Sequence, residues 1–248
     1  MTKDITDIRL TELSPLLKFV FTLFLVMIGV SYMVSMFNLY LTYHLTDGDP
    51  GLTIEDLRRS FYGNRNQTLL ASKIDGGSME QYLPSPGAKE AILSWIQDGT
   101  PKTGFKEVEH IFENRCVRCH NPNGLMWKRP LTTFELVKEV TVVDRGEPVS
   151  LWARVAHTHL MSLAVVFFGL SIIFSLCGAG QKMKTFLMPL PFLALFVDFG
   201  SRALIKYIPA FVYVMAGAGA LMGLSMAVLI VAPLYEMWIR GNKVKPES

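Results

Sequence analysis

Residues 19–41, FVFTLFLVMIGVSYMVSMFNLYL, carry no charged side chain. As a helix rising ~1.5 Å per residue, this run reaches about 34 Å, enough to cross the hydrocarbon of a bilayer. It is too long for a typical signal-peptide core, and no small-x-small cleavage site follows it. It therefore predicts an uncleaved signal anchor, with helix 1 over 19–43 and residues 1–18 before it. The composition agrees, because 50% of the chain is hydrophobic, rare for a soluble domain of this length. Three further apolar stretches follow at about 157–178, 185–205 and 208–238. The second of these holds Pro189, Pro191 and Asp198, so a kink is expected there. The third contains Gly219-Ala-Leu-Met-Gly223, a small-xxx-small element that lets another helix approach closely.

Between the first two apolar stretches lies one polar segment, 44–152, with mixed charges and Gly and Pro punctuation. The expected architecture is mainly α. Four transmembrane helices carry a small helical domain inserted between helices 1 and 2, a three-helix membrane region spans 153–238, and a tail occupies 239–248. The net charge of +3 and the lack of a basic stripe interleaved with aromatics argue against a nucleic-acid partner.

Within the insert stands Cys116-Val-Arg-Cys119-His120, a C-x-x-C-H run. This spacing lets one short turn offer two thiols to the vinyl groups of a haem and one imidazole to its iron. Cys116 and Cys119 are thus read as covalent haem c anchors and His120 as the proximal iron ligand. A zinc site would need a second Cys/His pair on the same side, and a thioredoxin-like site would need a βαβ pattern. Neither is present in the sequence. The chain has three cysteines, and the third, Cys177, ends an apolar run and reads as a buried thiol.

Haem c is attached outside the bacterial cytoplasm. The insert is therefore expected in the periplasm, with four helices returning both termini to the cytoplasm across a bacterial inner membrane. Lys182, Lys184, Arg240, Lys243 and Lys245 fall on the expected cytoplasmic side, while Arg202 and Lys206 fall on the outer one.

Helix signals in the insert include Thr53 as an N-cap before a helix toward Phe61, and Ser85-Pro86 before 88–97 with Gly99 as a stop. A helix over 106–114 is expected to lead into the haem motif, and Thr132 or Thr133 to cap another through about Val140. About a hundred residues is marginal for an independent core, and a haem would add apolar mass.

The insert resembles a small c-type cytochrome domain. Ile111-Phe-Glu-Asn-Arg-Cys116-Val-Arg-Cys119-His120 is similar to the haem-attachment helix of monohaem cytochromes c. Gly77-Ser-Met79-Glu-Gln-Tyr-Leu-Pro84 with Ile92-Leu-Ser-Trp95-Ile96 is similar to their methionine loop and final helix. The order of the two pieces is reversed, as in a circular permutation. The resemblance implies Met79 as the distal iron ligand. Met126 is the second candidate and His110 the third. Methionine ligation would raise the reduction potential relative to a bis-histidine site.

His44, His157 and His159 lie at the outer ends of helices 1 and 2, and none lies on the cytoplasmic half. A transmembrane wire of b haems is therefore not expected from this chain. His157 and His159 point about 200° apart on a helix, so they cannot face one iron together. Asp198 is an acid within a membrane helix, costly unless paired or facing a polar cavity. Arg202 at i+4 offers the pair. The sharper alternative is a quinol or haem b site formed by His44, His157, His159 and Asp198.

Three functional classes follow. The first is a monohaem electron-relay subunit at the periplasmic face of a larger respiratory or related complex. Its partners would be other membrane subunits, a periplasmic electron donor or acceptor, and the lipid bilayer. The chain reads as such a subunit more than as a stand-alone enzyme. The second class is a quinol-oxidising subunit, and the third a structural or assembly subunit stabilised by its haem.

Overall fold

Pro15 opens a helix at the position where its missing N–H costs nothing, and α1 runs Pro15–Tyr43. The computed structural model describes residues 8–240. Residues 1–7 and 241–248, including Lys243 and Lys245, lie outside the described residues. Helices dominate, and among the described residues the strand-like pairing is limited to an isolated bridge between Thr68 and Val143. The chain divides into two units: one is Thr42–Pro148, the other is made of the segments flanking it.

In the flanking unit, α7 is Val149–Ser175, α8 Gln181–Leu187, α9 Leu190–Ile205 and α10 Phe211–Tyr235. Four stretches are long and apolar enough to cross a membrane: Pro15–Tyr43, Val149–Ser175, Gln181–Ile205 and Phe211–Arg240. The second starts well before its apolar run, because Arg154, His157 and His159 continue the helix as polar residues. The third is broken at Met188–Pro189, as Pro189 and Pro191 demand. The hydroxyl of Ser171 donates to the Met188 carbonyl at 3.3 Å, satisfying one acceptor at the break.

The core of this unit joins Phe167, Leu170 and Phe174 of α7 to Leu195 and Phe199 of α9 and Leu229 of α10. Helix α1 buries only Leu25. Its contacts are shape-specific: a β-carbon at Gly169 would press on the Phe24 ring, and one at Gly223 would collide with the Tyr32 hydroxyl. The small-residue element of α10 is thus half used inside the chain. Gly223 seats Tyr32, while Gly219 has open space beside it. The cytoplasmic end expected from sequence is laced by Glu236, whose carboxylate accepts from the Gly178 N–H at 2.8 and 2.9 Å. Trp238 Nε1 donates to the Thr22 hydroxyl at 2.8 Å.

The Thr42–Pro148 unit contains α2 Ile54–Phe61, α3 Leu69–Ile74, α4 Pro86–Gln97, α5 Lys102–Ile111 and α6 Phe134–Glu139. Three helix starts follow their sequence signals. Thr53 and Asp56 form a reciprocal capping box, Ser85 caps α4 and Thr133 caps α6. The helix expected over 106–114 starts earlier, at Lys102, and ends at Ile111. Its core gathers Ile92 and Trp95 of α4, Phe105 and Val108 of α5, and Phe112 and Val137. Trp95 meets Phe105 at 5.5 Å and Phe112 at 6.5 Å between ring centroids, so α4 packs on α5 and on the residue that follows it. The segment's two ends are drawn together by Leu69 N to Val142 O (2.9 Å), Asp144 N to Gln67 O (2.9 Å) and Glu147 N to Ser60 O (2.9 Å). Gly63 and Gly146, with φ of +87° and +63°, pass so closely that neither has room for a β-carbon.

Candidate functional site: the Cys116–His120 turn

Helix α5 does not run into the cysteines as an α-helix. It widens into a π-type turn over Phe112–Cys116. Phe112 stays buried at 1% exposure, anchoring the turn while its backbone opens. The next amides then close tightly: Val117 N to Phe112 O (2.9 Å), Cys119 N to Cys116 O (3.1 Å) and His120 N to Cys116 O (2.8 Å). One compact turn therefore carries both thiols and the imidazole, as the C-x-x-C-H spacing predicts.

The two thiols differ. Cys116 is half-buried and packs against the core of the unit. Burial pushes its thiol up to about 11 from 9.0, because the charged thiolate is poorly solvated there. Cys119 is exposed. A rise of that size cuts the reactive thiolate fraction at neutral pH by roughly a hundredfold. In chain made without haem, iodoacetamide should label Cys119 far ahead of Cys116. Peptide mass spectrometry over a labelling time course checks this, and equal rates would contradict the burial of Cys116.

His120 is fixed by its backbone and by its ring. Leu131 N donates to the His120 carbonyl at 2.9 Å. The ring Nδ1 lies 2.8 Å from the Arg129 carbonyl. A carbonyl only accepts, so Nδ1 carries the proton and the Nε2 lone pair is left for a metal. Backbone carbonyls orient metal-bound histidines in this way. The chain between is a built loop. Asn121 Nδ2 donates to the Val117 carbonyl at 2.8 Å, Gly124 N to Asn121 O at 3.0 Å and Met126 N to Cys119 O at 2.9 Å. A β-carbon at Gly124 would collide with the Cys119 carbonyl.

The three distal candidates sit differently. Met79 N donates to the Lys73 carbonyl at 2.8 Å, and its side chain packs on the same core cluster as Cys116. Gly77 permits this loop, since a β-carbon there would strike the Ser72 carbonyl. Burial lowers the affinity of the Lys73 amine for its proton, with Asp144 opposing. Met126 is 44% exposed at the loop tip. His110 is exposed and lines a cleft of about 470 Å³ with Pro84, Ala88, Ile111 and Arg115.

A haem fits this chemistry: two thiols and an imidazole of defined tautomer on one turn, beside an apolar core that Met79 packs against. Among the described residues no cluster of three or more His, Cys, Asp or Glu side chains is gathered to hold a metal ion by protein ligands alone.

The remaining polar candidates fall in both units. His44 is half-buried and belongs to the Thr42–Pro148 unit. His157 and His159 are exposed on α7. The Nδ1 of His159 faces the Val155 carbonyl at 3.0 Å, and its ring lies 6.0 Å from that of Phe199. Asp198 is buried and meets Arg202 Nε at 3.4 Å. The Arg202 guanidinium also lies 5.1 Å from the Phe199 ring centroid.

Sequence reading missed Arg129, which acts through its carbonyl. A backbone acceptor leaves no side-chain signature; Pro130, which restricts the residue before it, is the one hint.

A family model described as a transmembrane helical domain matches residues 147–244, the segment holding α7 to α10. No curated protein and no solved structure matches the chain. The four apolar helices and the family match together make the chain a multi-pass membrane protein whose C-terminal part is similar to that transmembrane helical domain.

Proposed function

We propose that this chain is a membrane-bound monohaem c-type cytochrome. It relays single electrons at the periplasmic face of a bacterial inner membrane, with both termini cytoplasmic, within a larger respiratory or related complex. The observation that carries the reading is the 2.8 Å contact of His120 Nδ1 with the Arg129 carbonyl. It fixes the tautomer a proximal ligand needs, on the turn that also bears Cys116 and Cys119. The packing of α4 against α5 through Trp95 and Phe105 supports the permuted cytochrome arrangement.

Cys116 and Cys119 would tether the haem, and His120 Nε2 and Met79 would hold its iron. Bound there, the haem supplies a one-electron couple. Phe105, Phe112, Ile92 and Leu131 are buried in the cluster on which Cys116 and Met79 pack and would keep water from a haem held there, and no substrate is bonded by the protein.

A second reading, quinol oxidation, draws on α7 and α9. Asp198 is buried in a membrane-spanning stretch, within electrostatic reach of Arg202 and His159. Such a group can take a proton from a quinol when an electron acceptor is available.

A pyridine haemochrome spectrum with a protein assay on the purified chain tests both readings. One haem c per chain and no haem b is the expected result. Haem b beside haem c would bring His44, His157 and His159 forward as ligands. No covalent haem at all would sink the proposal.

A further inference from the structure

The prolines that break the third spanning stretch also leave room beside it. Helix α8 stops at Leu187, just before the Met188–Pro189 break, and is tied to α7 at two levels one turn apart. The Ser171 hydroxyl donates to the Met188 carbonyl at 3.3 Å, and Lys184 Nζ donates to the Ser175 carbonyl at 2.6 Å. At these ties lies a cleft of about 500 Å³, inside the roughly 300–1,000 Å³ range of small-molecule sites. Its walls are of two kinds. Ser175, Gln181, Lys184 and Thr185 are polar, while Leu176 and Met188 are apolar. All belong to the flanking unit, so the cleft calls on no residue of Thr42–Pro148.

The cleft carries positive charge. An ammonium has three donors, and the Ser175 carbonyl takes one from Lys184. Among the described residues Lys184 forms no ion pair. The chain before α1 brings a second cation to the same turn. Leu10 N donates to the Leu176 carbonyl at 3.1 Å, and the Arg9 guanidinium to the Cys177 carbonyl at 3.3 Å. Glu236, the acid bound to this turn, is buried with both oxygens on the Gly178 N–H and does not line the cleft. Lys184 also stands in the first turn of the spanning stretch Gln181–Ile205, the level of the lipid head groups. Ile172 and Phe168, three and seven residues before Ser175, continue one face of α7 and are exposed. A cationic pocket thus gives onto an apolar track, and a soluble anion has no use for that track.

We propose that this cleft seats one anionic phospholipid of the bilayer. Its phosphate meets Lys184 Nζ, with the Gln181 amide and the Thr185 hydroxyl as further donors. One acyl chain leaves over Met188 along Ile172 and Phe168. The Arg9 guanidinium at the neighbouring Cys177 favours a lipid of net negative charge, because a zwitterionic head group brings an ammonium into the same positive field. Basic pockets between membrane helices recognise phosphate head groups in this way. A lipid held there bridges α7 and α8, so it stabilises the folded membrane unit by mass action.

The test uses the full chain in a non-ionic detergent, titrated with phosphatidylglycerol and read by native mass spectrometry. One phosphatidylglycerol should be retained under conditions that strip phosphatidylcholine. Its affinity should fall about fivefold or more in Lys184→Gln. It should stay within about twofold of the parent in Lys184→Arg, which keeps the charge, and in Lys182→Gln, which removes an exposed cation outside the cleft. Phosphatidylglycerol bearing a diazirine on its acyl chain should, on illumination with the parent chain, label the peptides that hold Ile172 and Met188. This arm carries the test if Lys184→Gln does not fold. Equal retention of the two lipids would overturn the site. So would equal losses in Lys184→Gln and Lys182→Gln, or label spread evenly over the four spanning helices. Glycerol phosphate that displaces the lipid at equal concentration would also overturn it, by making the cleft a site for a soluble phosphate.

Discussion

On the cytochrome reading proposed above, replacing Met79 by leucine should lower the reduction potential of the haem-loaded protein by on the order of 100 mV or more, within a range of roughly 0.8 V that axial ligands command. Met126→Leu and His110→Ala should leave it close to the parent value. The three candidates differ in place. Met79 is held by its amide to the Lys73 carbonyl and packs on the cluster that also receives Cys116. Met126 is turned out at a loop tip whose own amide is bound to Cys119. His110 belongs to the cleft beside α4 and α5. Leucine matches methionine in volume, and such swaps in a core usually cost under about 1.5 kcal/mol. The insert should therefore stay folded, so that the substitution reads the sulfur alone. Redox titration of the three variants in detergent checks this. A large shift in Met126→Leu with none in Met79→Leu would move the distal assignment to the loop.

What the sequence makes legible here follows from where physics acts locally. A bilayer requires long uncharged helices, so the four spans could be read from runs of apolar residues, and two prolines fixed the break before α9. Thr53, Ser85 and Thr133 announce helix starts because a hydroxyl or its neighbour satisfies amides within the next three residues. Cys116, Cys119 and His120 share one turn, so their grouping is a matter of spacing. The unread parts depend on residues far apart in the chain. The short α3, Leu69–Ile74, has too few residues for a period to show. The close passage of Gly63 and Gly146 joins two ends of the insert, and neither glycine alone points to the other. The small-residue spacing of α10 predicts that another helix comes close, but not that it is α1, whose Tyr32 fills the space at Gly223. The carbonyl of Arg129, which sets the tautomer of His120, belongs to a backbone atom that every residue possesses.

Arg202→Ala should destabilise the membrane unit by about 3–5 kcal/mol, the range for breaking a buried ion pair from one side. The side chains of Arg202 and Asp198 are 17% and 10% exposed, and they meet at 3.4 Å. Removing the guanidinium leaves a carboxylate in an apolar stretch without its counter-ion and also strips the cation from the Phe199 ring. Asp198→Asn/Arg202→Gln removes both charges while keeping shape and hydrogen-bonding groups, so it should recover most of the loss. Thermal unfolding of the detergent-solubilised chain, followed by circular dichroism, checks the order: parent, double variant, then Arg202→Ala. Equal losses in the two variants would show that packing, not charge, sets the cost. The double variant also separates the two roles open to Asp198. A carboxylate that serves only the ion pair can be replaced together with its partner, and reduction by quinol, if it occurs, continues. A carboxylate that accepts the quinol proton has no substitute in asparagine, so quinol-driven reduction should then fall while reduction by a small one-electron donor persists.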